Sequence, residues 1–344
     1  MDWIFYFFFA WGLSYLLNFF VLKKFFKKEV KQTKRLGGVA IILSFLTVLF
    51  FSEVVITNKI LALFLGTVAI LFFGLLDDFK NINWKGQFIF QFFLALLIIF
   101  FGFEIDFISF SSQWVWQLGG LEINFLGATI PLISSVVLLF WVVLIINAVN
   151  WADGSDGLAV AIGTVSAVAI FFVSLRPEVN QPAVAIMSII FVGALLGFGW
   201  FNFPPAKLFA GTSGSYFIGF FLAVLAVLAG TKIATLMTVL ALPVLDAGWV
   251  IYDRFKDGQS VFKRDVEKRH FHYRLRDIGW DNRRICWFYS SFLFLMFLLG
   301  VFFSGKDLKM IILFLEILLI WAILFWMSRK TEGAKKKISK NRLN

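Results

Sequence analysis

Long apolar blocks recur along the whole chain, and they constrain its fold more than any other feature. Eleven such blocks alternate with more polar segments, at about residues 3–22, 37–52, 60–76, 87–103, 129–149, 157–174, 183–201, 213–230, 232–251, 284–303 and 308–328. A helix needs roughly 17 to 25 apolar residues to cross about 30 Å of hydrocarbon. The composition agrees, because 60% of the 344 residues are hydrophobic and only 15% are charged. The sequence therefore predicts an all-α polytopic membrane protein with about 11 transmembrane helices.

Basic residues are distributed unevenly between the segments that join these blocks, and this distribution predicts the orientation. With the N-terminus outside, 27 of the 32 Lys and Arg residues lie within or beside inner segments. The other five lie within or beside outer segments, at Lys59, Arg176, Lys232, Lys306 and Lys309. Because cytosolic loops carry the excess of basic residues, the sequence predicts an N-out, C-in topology. Because the two ends lie on opposite sides, the number of spans must be odd. Nine spans are therefore the alternative to eleven.

The formal net charge of +11 also bears on the class of partner. In a soluble protein such a charge suggests nucleic-acid binding, whereas here the positive-inside distribution accounts for it, so no nucleic-acid partner is predicted. We expect one transmembrane domain over residues 1–328, with a long cytosolic loop at 252–283. Residues 329–344 form a basic cytosolic tail in this interpretation.

The outer segment at residues 104–128 differs from the other connections. It is the longest one outside, and aromatic and polar residues alternate around Gly119 and Gly120. This pattern predicts a small extracytoplasmic β-hairpin. Trp114 and Trp116 are then expected to anchor it at the membrane interface.

Carboxylates and amides cluster at the inner ends of two spans, where charged groups are costly and usually functional. Asp77 and Asp78 end the third span, and a pair of adjacent carboxylates suits a metal ion or proton transfer. Four further polar residues recur every three positions, at Asn147, Asn150, Asp153 and Asp156. On a helix this spacing places them along one face. A helix-end cap for the first cluster and interhelical hydrogen bonding for the second are the structural alternatives.

Two further inner segments have the composition of anion-binding sites. Residues 211–215 form a Gly/Ser/Thr loop before the eighth span, and free N–H groups at a helix N-terminus bind anions. The loop at 252–283 contains both histidines, His270 and His272, beside Arg269 and Arg274. A basic cytosolic loop beside a carboxylate-rich pocket indicates a phosphorylated substrate. An ordinary turn and a solvated positive-inside loop are the respective alternatives.

These four blocks, in this order, resemble the polyprenyl-phosphate N-acetylhexosamine-1-phosphate transferases, which are glycosyltransferase family 4. The family includes the phospho-MurNAc-pentapeptide transferase of peptidoglycan synthesis and initiators of other lipid-linked glycans. The resemblance runs from Arg35-Leu36-Gly37-Gly38 to Leu275, and HFHYRL at 270–275 is closer to the glycan initiators. It implies transfer of N-acetylhexosamine-1-phosphate from a UDP-N-acetylhexosamine to undecaprenyl (polyprenyl) phosphate, with release of UMP. It also implies Mg²⁺ (or Mn²⁺) as cofactor, the inner (plasma) membrane as location, and a homodimer.

The resemblance also implies a role for each matched residue. Asp77, Asp78, His270 and His272 would be catalytic, with the aspartates acting on the lipid phosphate and the histidines contacting the diphosphate or sugar. Asp153 and Asp156 would bind the metal. The implied substrate-binding residues are Asn147, Asn150, Asn202, Phe209, Lys207, Arg269 and Arg274, with Phe209 at the uracil.

The chain departs from the family pattern at three other positions. Thr212 occupies the place of a metal-binding aspartate in the family's F-M-G-D-x-G-S block, Tyr273 replaces a third histidine, and Gln87 replaces a lysine. A hydroxyl is a poorer ligand for a hard dication than a carboxylate. The alternative function is therefore a catalytically impaired homologue that binds lipid phosphate or UDP-sugar as a scaffold. A secondary transporter is disfavoured, because the polar clusters lie at span ends on one side and no repeated halves are found.

Overall fold

The computed structural model of the chain describes residues 2–25, 34–109, 113–125, 128–230, 233–259, 269–303 and 305–341. Within these ranges the chain is mainly helical. The helices are α1 (Trp3–Phe25), α2 (Gly37–Phe50), α3 (Asn58–Lys80), α4 (Trp84–Phe100), α5 (Leu132–Ala152), α6 (Leu158–Ser174), α7 (Pro182–Asn202), α8 (Gly211–Leu228), α9 (Ile233–Val239), α10 (Ala241–Lys256), α11 (Phe271–Asp277), α12 (Asn282–Phe302) and α13 (Lys306–Asn341). Four short strands are β1 (Phe107–Ser109), β2 (Val115–Gln117), β3 (Glu122–Phe125) and β4 (Ala128–Pro131).

Every predicted apolar block contains helix, and the longest helices have the dimensions of membrane spans. Seven helices of the described chain are long and apolar enough to cross a membrane, namely α1, α3, α5, α7, α8, α12 and α13. The pair α9 and α10 would make an eighth span if the two count together. Helices α2, α4 and α6 are apolar but shorter. The protein is therefore a multi-pass helical membrane protein, as predicted.

The ninth block is not one straight helix, as the sequence pattern at 232–251 suggested. Helices α9 and α10 meet at Leu240 with a bend of 77°. Pro243 lies in the first turn of α10, where a residue without an N–H group is tolerated because first-turn amides have no helical acceptor. Helix α10 extends to Lys256, five residues beyond the predicted block.

The outer segment contains two β-hairpins, not the single one predicted around Gly119 and Gly120. Strands β1 and β2 pair antiparallel, as do β3 and β4, and the two pairs form separate sheets. The two glycines lie in the link between the hairpins. Trp114 and Trp116 are both largely exposed, which fits their predicted place at the membrane interface.

Helix α8 forms the centre of the bundle and carries the site at its N-terminus. It packs against α2, α3 and α5, and its side chains from Ser213 to Val227 are buried. Aromatic residues fill this core, including Phe45, Phe191, Phe217 and Phe221, whose rings contact one another. The C-terminal end of α3 and the end of α5 are hydrogen-bonded to the first turns of α8.

Candidate active site

Asp78 lies at the end of α3 and is held by the first turn of α8. Its carboxylate is 1% exposed. Oδ1 accepts the backbone N–H of Thr212 at 2.9 Å, and Oδ2 accepts longer bonds from the N–H and Oγ of Ser213 at 3.4 and 3.3 Å. Helix N-termini favour such anions because their amides are free. The Gly/Ser/Thr loop is thus an anion site whose ligand is a carboxylate of the same chain.

Gly211 permits this close approach. Its φ of +68° is unfavourable for other residues. A Cβ atom at this position would lie 2.6 Å from Oδ2 of Asp78 and 2.5 Å from the carbonyl oxygen of Arg35. The glycine therefore lets the loop before α8, the end of α3 and the segment before α2 meet at one point.

Asp77, the other member of the pair, is held by two of the residues that depart from the family pattern. Thr212 donates its Oγ1–H to Asp77 Oδ2 at 2.5 Å. Gln87 on α4 donates through Nε2 to both carboxylate oxygens, at 3.1 and 3.2 Å. The two departures are spatially linked, since a neutral hydroxyl and a neutral amide together contact one carboxylate.

The predicted polar stripe is divided between a helix and a turn. Asn147 and Asn150 lie on α5, but that helix ends at Ala152, so Asp153 and Asp156 are not on the same helical face as expected. Asn147 donates to Gln91 Oε1 at 2.6 Å, and Asn150 accepts from Ser215 Oγ at 2.8 Å. Both amides therefore form interhelical hydrogen bonds.

The two carboxylates of the following turn have different surroundings. Asp156 accepts the backbone N–H of Ala206 at 3.1 Å. Asp153 has no hydrogen-bond donor among the described residues. Its desolvation, together with the nearby carboxylate of Asp78, raises the pKa of Asp153 well above its usual range, while Arg35 acts in the opposite direction. Asp153 is thus a carboxylate whose surroundings favour a cation or a proton.

Asn202, Lys207 and Phe209 lie around the connection from α7 to α8. Asn202 is buried, accepts the N–H of Gly157 at 3.1 Å and donates to the carbonyl of Leu208 at 2.9 Å. It therefore joins the Asp153–Gly157 turn to the α7–α8 connection. The side chains of Lys207 and Phe209 are exposed, so both are accessible to a soluble ligand.

The structure brings His270 and His272 to the same turn. Both are fully buried, and their rings are parallel with centroids 5.9 Å apart. His272 Nε2 would lie 2.6 Å from a Cβ atom on Gly154, so the ring contacts the turn directly. Neither ring nitrogen of His272 has a hydrogen-bond partner within the described part of the chain. Burial lowers the pKa of His272 to about 3, so this ring is neutral at physiological pH.

Arg269 and Arg274 are engaged with carboxylates of the chain itself. Arg269 contacts Asp257 at 2.7 Å and Asp253 at 3.4 Å. Arg274 contacts the same Asp253 oxygen at 3.0 Å and is largely buried. These ion pairs fix the histidine segment to the end of α10, and any role of the two arginines with substrate stays a prediction.

Two charged residues of this region, Asp246 and Arg35, were not predicted as site residues from the sequence. Asp246 on α10 is buried and bonded to His270 Nδ1 at 2.9 Å. A lone carboxylate within an apolar block was the signal available for it. Arg35 precedes α2, and its charge acts on Asp153. Its proximity to the carboxylates arises only from the folded chain.

The comparisons with known proteins show which family the chain resembles. The family model described as glycosyl transferase family 4 matches residues 60–230, which include both aspartate pairs and Thr212 but not the histidines. A probable undecaprenyl-phosphate N-acetylglucosaminyl 1-phosphate transferase of Bacillus subtilis is 27% identical over 309 residues, covering 88% of this chain and 80% of the relative. A decaprenyl-phosphate N-acetylglucosaminephosphotransferase of Mycolicibacterium smegmatis is 30% identical over 74% of this chain and 68% of the relative. A phospho-N-acetylmuramoyl-pentapeptide-transferase of Kocuria rhizophila is 30% identical over 79% of this chain and 84% of the relative. With a family match across the carboxylate site and relatives aligned over most of its length, the chain belongs to glycosyl transferase family 4.

Proposed function

We propose that the protein transfers N-acetylhexosamine-1-phosphate from a UDP-sugar to undecaprenyl (polyprenyl) phosphate and releases UMP. The observation that carries this proposal is that the first turn of α8 holds both Asp77 and Asp78. Asp153 is near enough to Asp78 for their charges to interact, and His272 contacts the turn that contains Asp153. The names of the family relatives support the same reaction. A site at the end of membrane helices suits a reaction that joins a soluble nucleotide sugar to a membrane lipid.

The chemistry requires positioning and charge neutralisation more than covalent catalysis. An oxygen of the lipid phosphate attacks the sugar-bearing phosphorus, and the bond from that phosphorus to the bridging oxygen breaks, so that UMP leaves. Asp77 and Asp78 are rigidly held by their hydrogen bonds and would orient the attacking phosphate. Exposed Phe209 and Lys207 would receive the nucleotide.

We propose that part of the positive charge for the phosphates comes from groups other than the predicted loop arginines. Arg269 and Arg274 already pair with Asp253 and Asp257, and His272 is neutral. Arg35, which acts electrostatically on Asp153, is the cation of the described chain that we assign to substrate phosphate. A divalent metal ion would supply the rest.

We propose Mg²⁺ (or Mn²⁺) as this metal, with Asp153 as its first protein ligand. No group of three or more His, Cys, Asp or Glu side chains within the described residues could hold a metal ion. Mg²⁺ often binds through one or two carboxylates together with waters and substrate phosphates, so the unpartnered carboxylate of Asp153 fits that requirement. Asp78, whose carboxylate adds to the negative potential at Asp153, is its neighbour in this arrangement.

The activity is tested with purified protein in detergent, undecaprenyl phosphate, Mg²⁺ and a panel of UDP-N-acetylhexosamines. Release of UMP that depends on the lipid phosphate is the expected result, and the panel identifies the sugar. Binding of a UDP-sugar without UMP release under all these conditions would instead support the scaffold alternative.

Thr212→Asp tests the metal proposal. The Thr212 hydroxyl lies 2.5 Å from Asp77 Oδ2, so a carboxylate here faces another carboxylate and favours a cation between them. We expect the Mg²⁺ concentration for half-maximal UMP release to fall several-fold. Thr212→Asn, which is similar in size and neutral, is the matched control and should not produce this shift. An unchanged Mg²⁺ requirement in Thr212→Asp would remove position 212 from the metal site.

For the topology we propose eleven crossings, with α2, α4, α6 and the α9–α10 pair added to the seven long helices, the N-terminus outside and the C-terminus inside. The asymmetric distribution of Lys and Arg supports this orientation. The active site then faces the cytosol. The predicted inner-membrane location and homodimer stay predictions.

Cysteine labelling distinguishes the two orientations. In a Cys286→Ala background, Lys256→Cys at the end of α10 should react with an impermeant maleimide only after the membrane is permeabilised. Gln117→Cys in β2 should react in intact cells. Both positions are exposed. The reverse labelling pattern would show that the orientation is inverted.

A further inference from the structure

Asp246 links the middle of α10 to the histidine segment through two hydrogen bonds. Its Oδ2 lies 2.9 Å from His270 Nδ1, and its Oδ1 accepts the backbone N–H of Phe271 at 2.7 Å. The carboxylate is 3% exposed and the histidine ring 0%. A buried carboxylate that receives two donors in this way holds the ring and the adjacent backbone in one arrangement.

The contact also determines which ring nitrogen carries the proton. An ionised carboxylate only accepts hydrogen bonds, so Nδ1 of His270 is the protonated nitrogen. In a neutral ring, Nε2 then carries a lone pair. This Nε2 atom is buried and has no hydrogen-bond partner among the described residues. The rings of Trp151 and His272, with centroids 5.5 and 5.9 Å from that of His270, limit its rotation.

We propose that Asp246 is a positioning residue that keeps His270 Nε2 as a hydrogen-bond acceptor for the sugar of the UDP-sugar. Phosphate oxygens lack donors, whereas the hydroxyl groups and acetamido N–H of an N-acetylhexosamine supply them. The assignment rests on the proposed transferase function. It places His270 against the sugar, while the diphosphate is left to Arg35 and the metal.

Asp246→Asn separates this role from simple structural support. The asparagine Oδ1 can still accept the N–H of Phe271, but its NH₂ group would face Nδ1 of His270. The ring must then accept at Nδ1 and carry its proton at Nε2, which inverts the hydrogen bond offered to the sugar. Asp246→Glu keeps the carboxylate and should retain more activity than Asp246→Asn.

The test is a double-mutant cycle with Asp246→Asn, His270→Gln and the combined variant. Two quantities are measured, namely kcat/KM for UMP release and the affinity for UDP-N-acetylglucosamine without lipid. We expect Asp246→Asn to lose about 10- to 100-fold in kcat/KM, the range for losing a carboxylate behind a functional histidine. In the His270→Gln background the same change should cost less than about threefold, because the interaction is already absent. Asp281→Asn, which removes the same charge from the N-cap of α12, should match the wild type.

Near-normal kinetics of Asp246→Asn, or losses that multiply in the double variant, would overturn the assignment. Thermal unfolding of each variant shows whether a substitution causes a general folding defect. If Asp246→Asn has such a defect, the comparison of the kinetics of Asp246→Glu with those of the wild type decides whether the carboxylate positions His270. If the wild type binds UDP-N-acetylglucosamine but releases no UMP, the transferase proposal fails. The positioning role is then judged by the affinity cycle alone, with the same expected non-additivity.

Discussion

Asp78→Asn should reduce the rate of UMP release by about 100-fold or more, comparable to the loss of one preorganised electrostatic group. The wild-type carboxylate accepts from Thr212 on one oxygen and from Ser213 on the other. Asparagine has one acceptor and one donor, so its NH₂ group must face an N–H or O–H of the α8 first turn. The variant loses both the charge and the contact that positions it.

The measurement is kcat at saturating UDP-sugar, lipid phosphate and Mg²⁺. Asp106→Asn is the matched control, because Asp106 is an exposed carboxylate beside β1 that lies near Val227 and Leu228, at the opposite end of α8 from the site. Its rate should be unchanged. Near-normal turnover of Asp78→Asn would remove the first turn of α8 from the active site.

Asp153→Asn should also lower kcat by about 100-fold or more, and it should remove a pH-dependent loss of stability from the metal-free protein. Asp153 has no hydrogen-bond donor within the described residues, and desolvation raises its pKa well above the usual range. The folded protein therefore binds a proton more tightly at this site than the unfolded chain does. Without metal, this group lowers the stability progressively as the pH rises from the ordinary aspartate pKa towards the raised folded value.

Thermal unfolding in a chelator, measured across this pH range, checks the stability part. The wild type should lose stability as the pH rises, and Asp153→Asn should lose less over the same interval. Added Mg²⁺ should stabilise the wild type more than the variant. The wild type and the variant could instead show the same pH dependence of stability, the same stabilisation by Mg²⁺ and the same kcat. Asp153 would then be neither desolvated nor a metal ligand.

The membrane architecture could be predicted from the sequence because its cause is local. Each hydrophobic block must satisfy its backbone hydrogen bonds internally in hydrocarbon, so the composition of about 20 residues is sufficient to predict a helix. Composition alone did not predict two local features, because each depends on how neighbouring elements pack. The bend at Leu240 depends on how α9 and α10 pack, and two hairpins formed where the pattern around Gly119 and Gly120 suggested one.

In the candidate site, too, some features could be predicted from the sequence and others depend on packing. Residue types and their place at span ends identified Asp77, Asp78, Asp153, His270 and His272, because charged or polar groups are rare at such positions. The sequence by itself thus determined the membrane class and the family, and it supplied most of the candidate site residues. Their side-chain partners lie 10 to 135 residues away, as in Asp77 with Gln87 and with Thr212. Only the tertiary structure decided that Thr212 and Gln87 share Asp77 and that Arg269 and Arg274 pair with the chain's own carboxylates. It also decided that Asp153 has no hydrogen-bond donor among the residues that the structure describes. Hydrogen bonds and charge pairs act over a few ångströms, and the distances between such groups are fixed only when the helices pack.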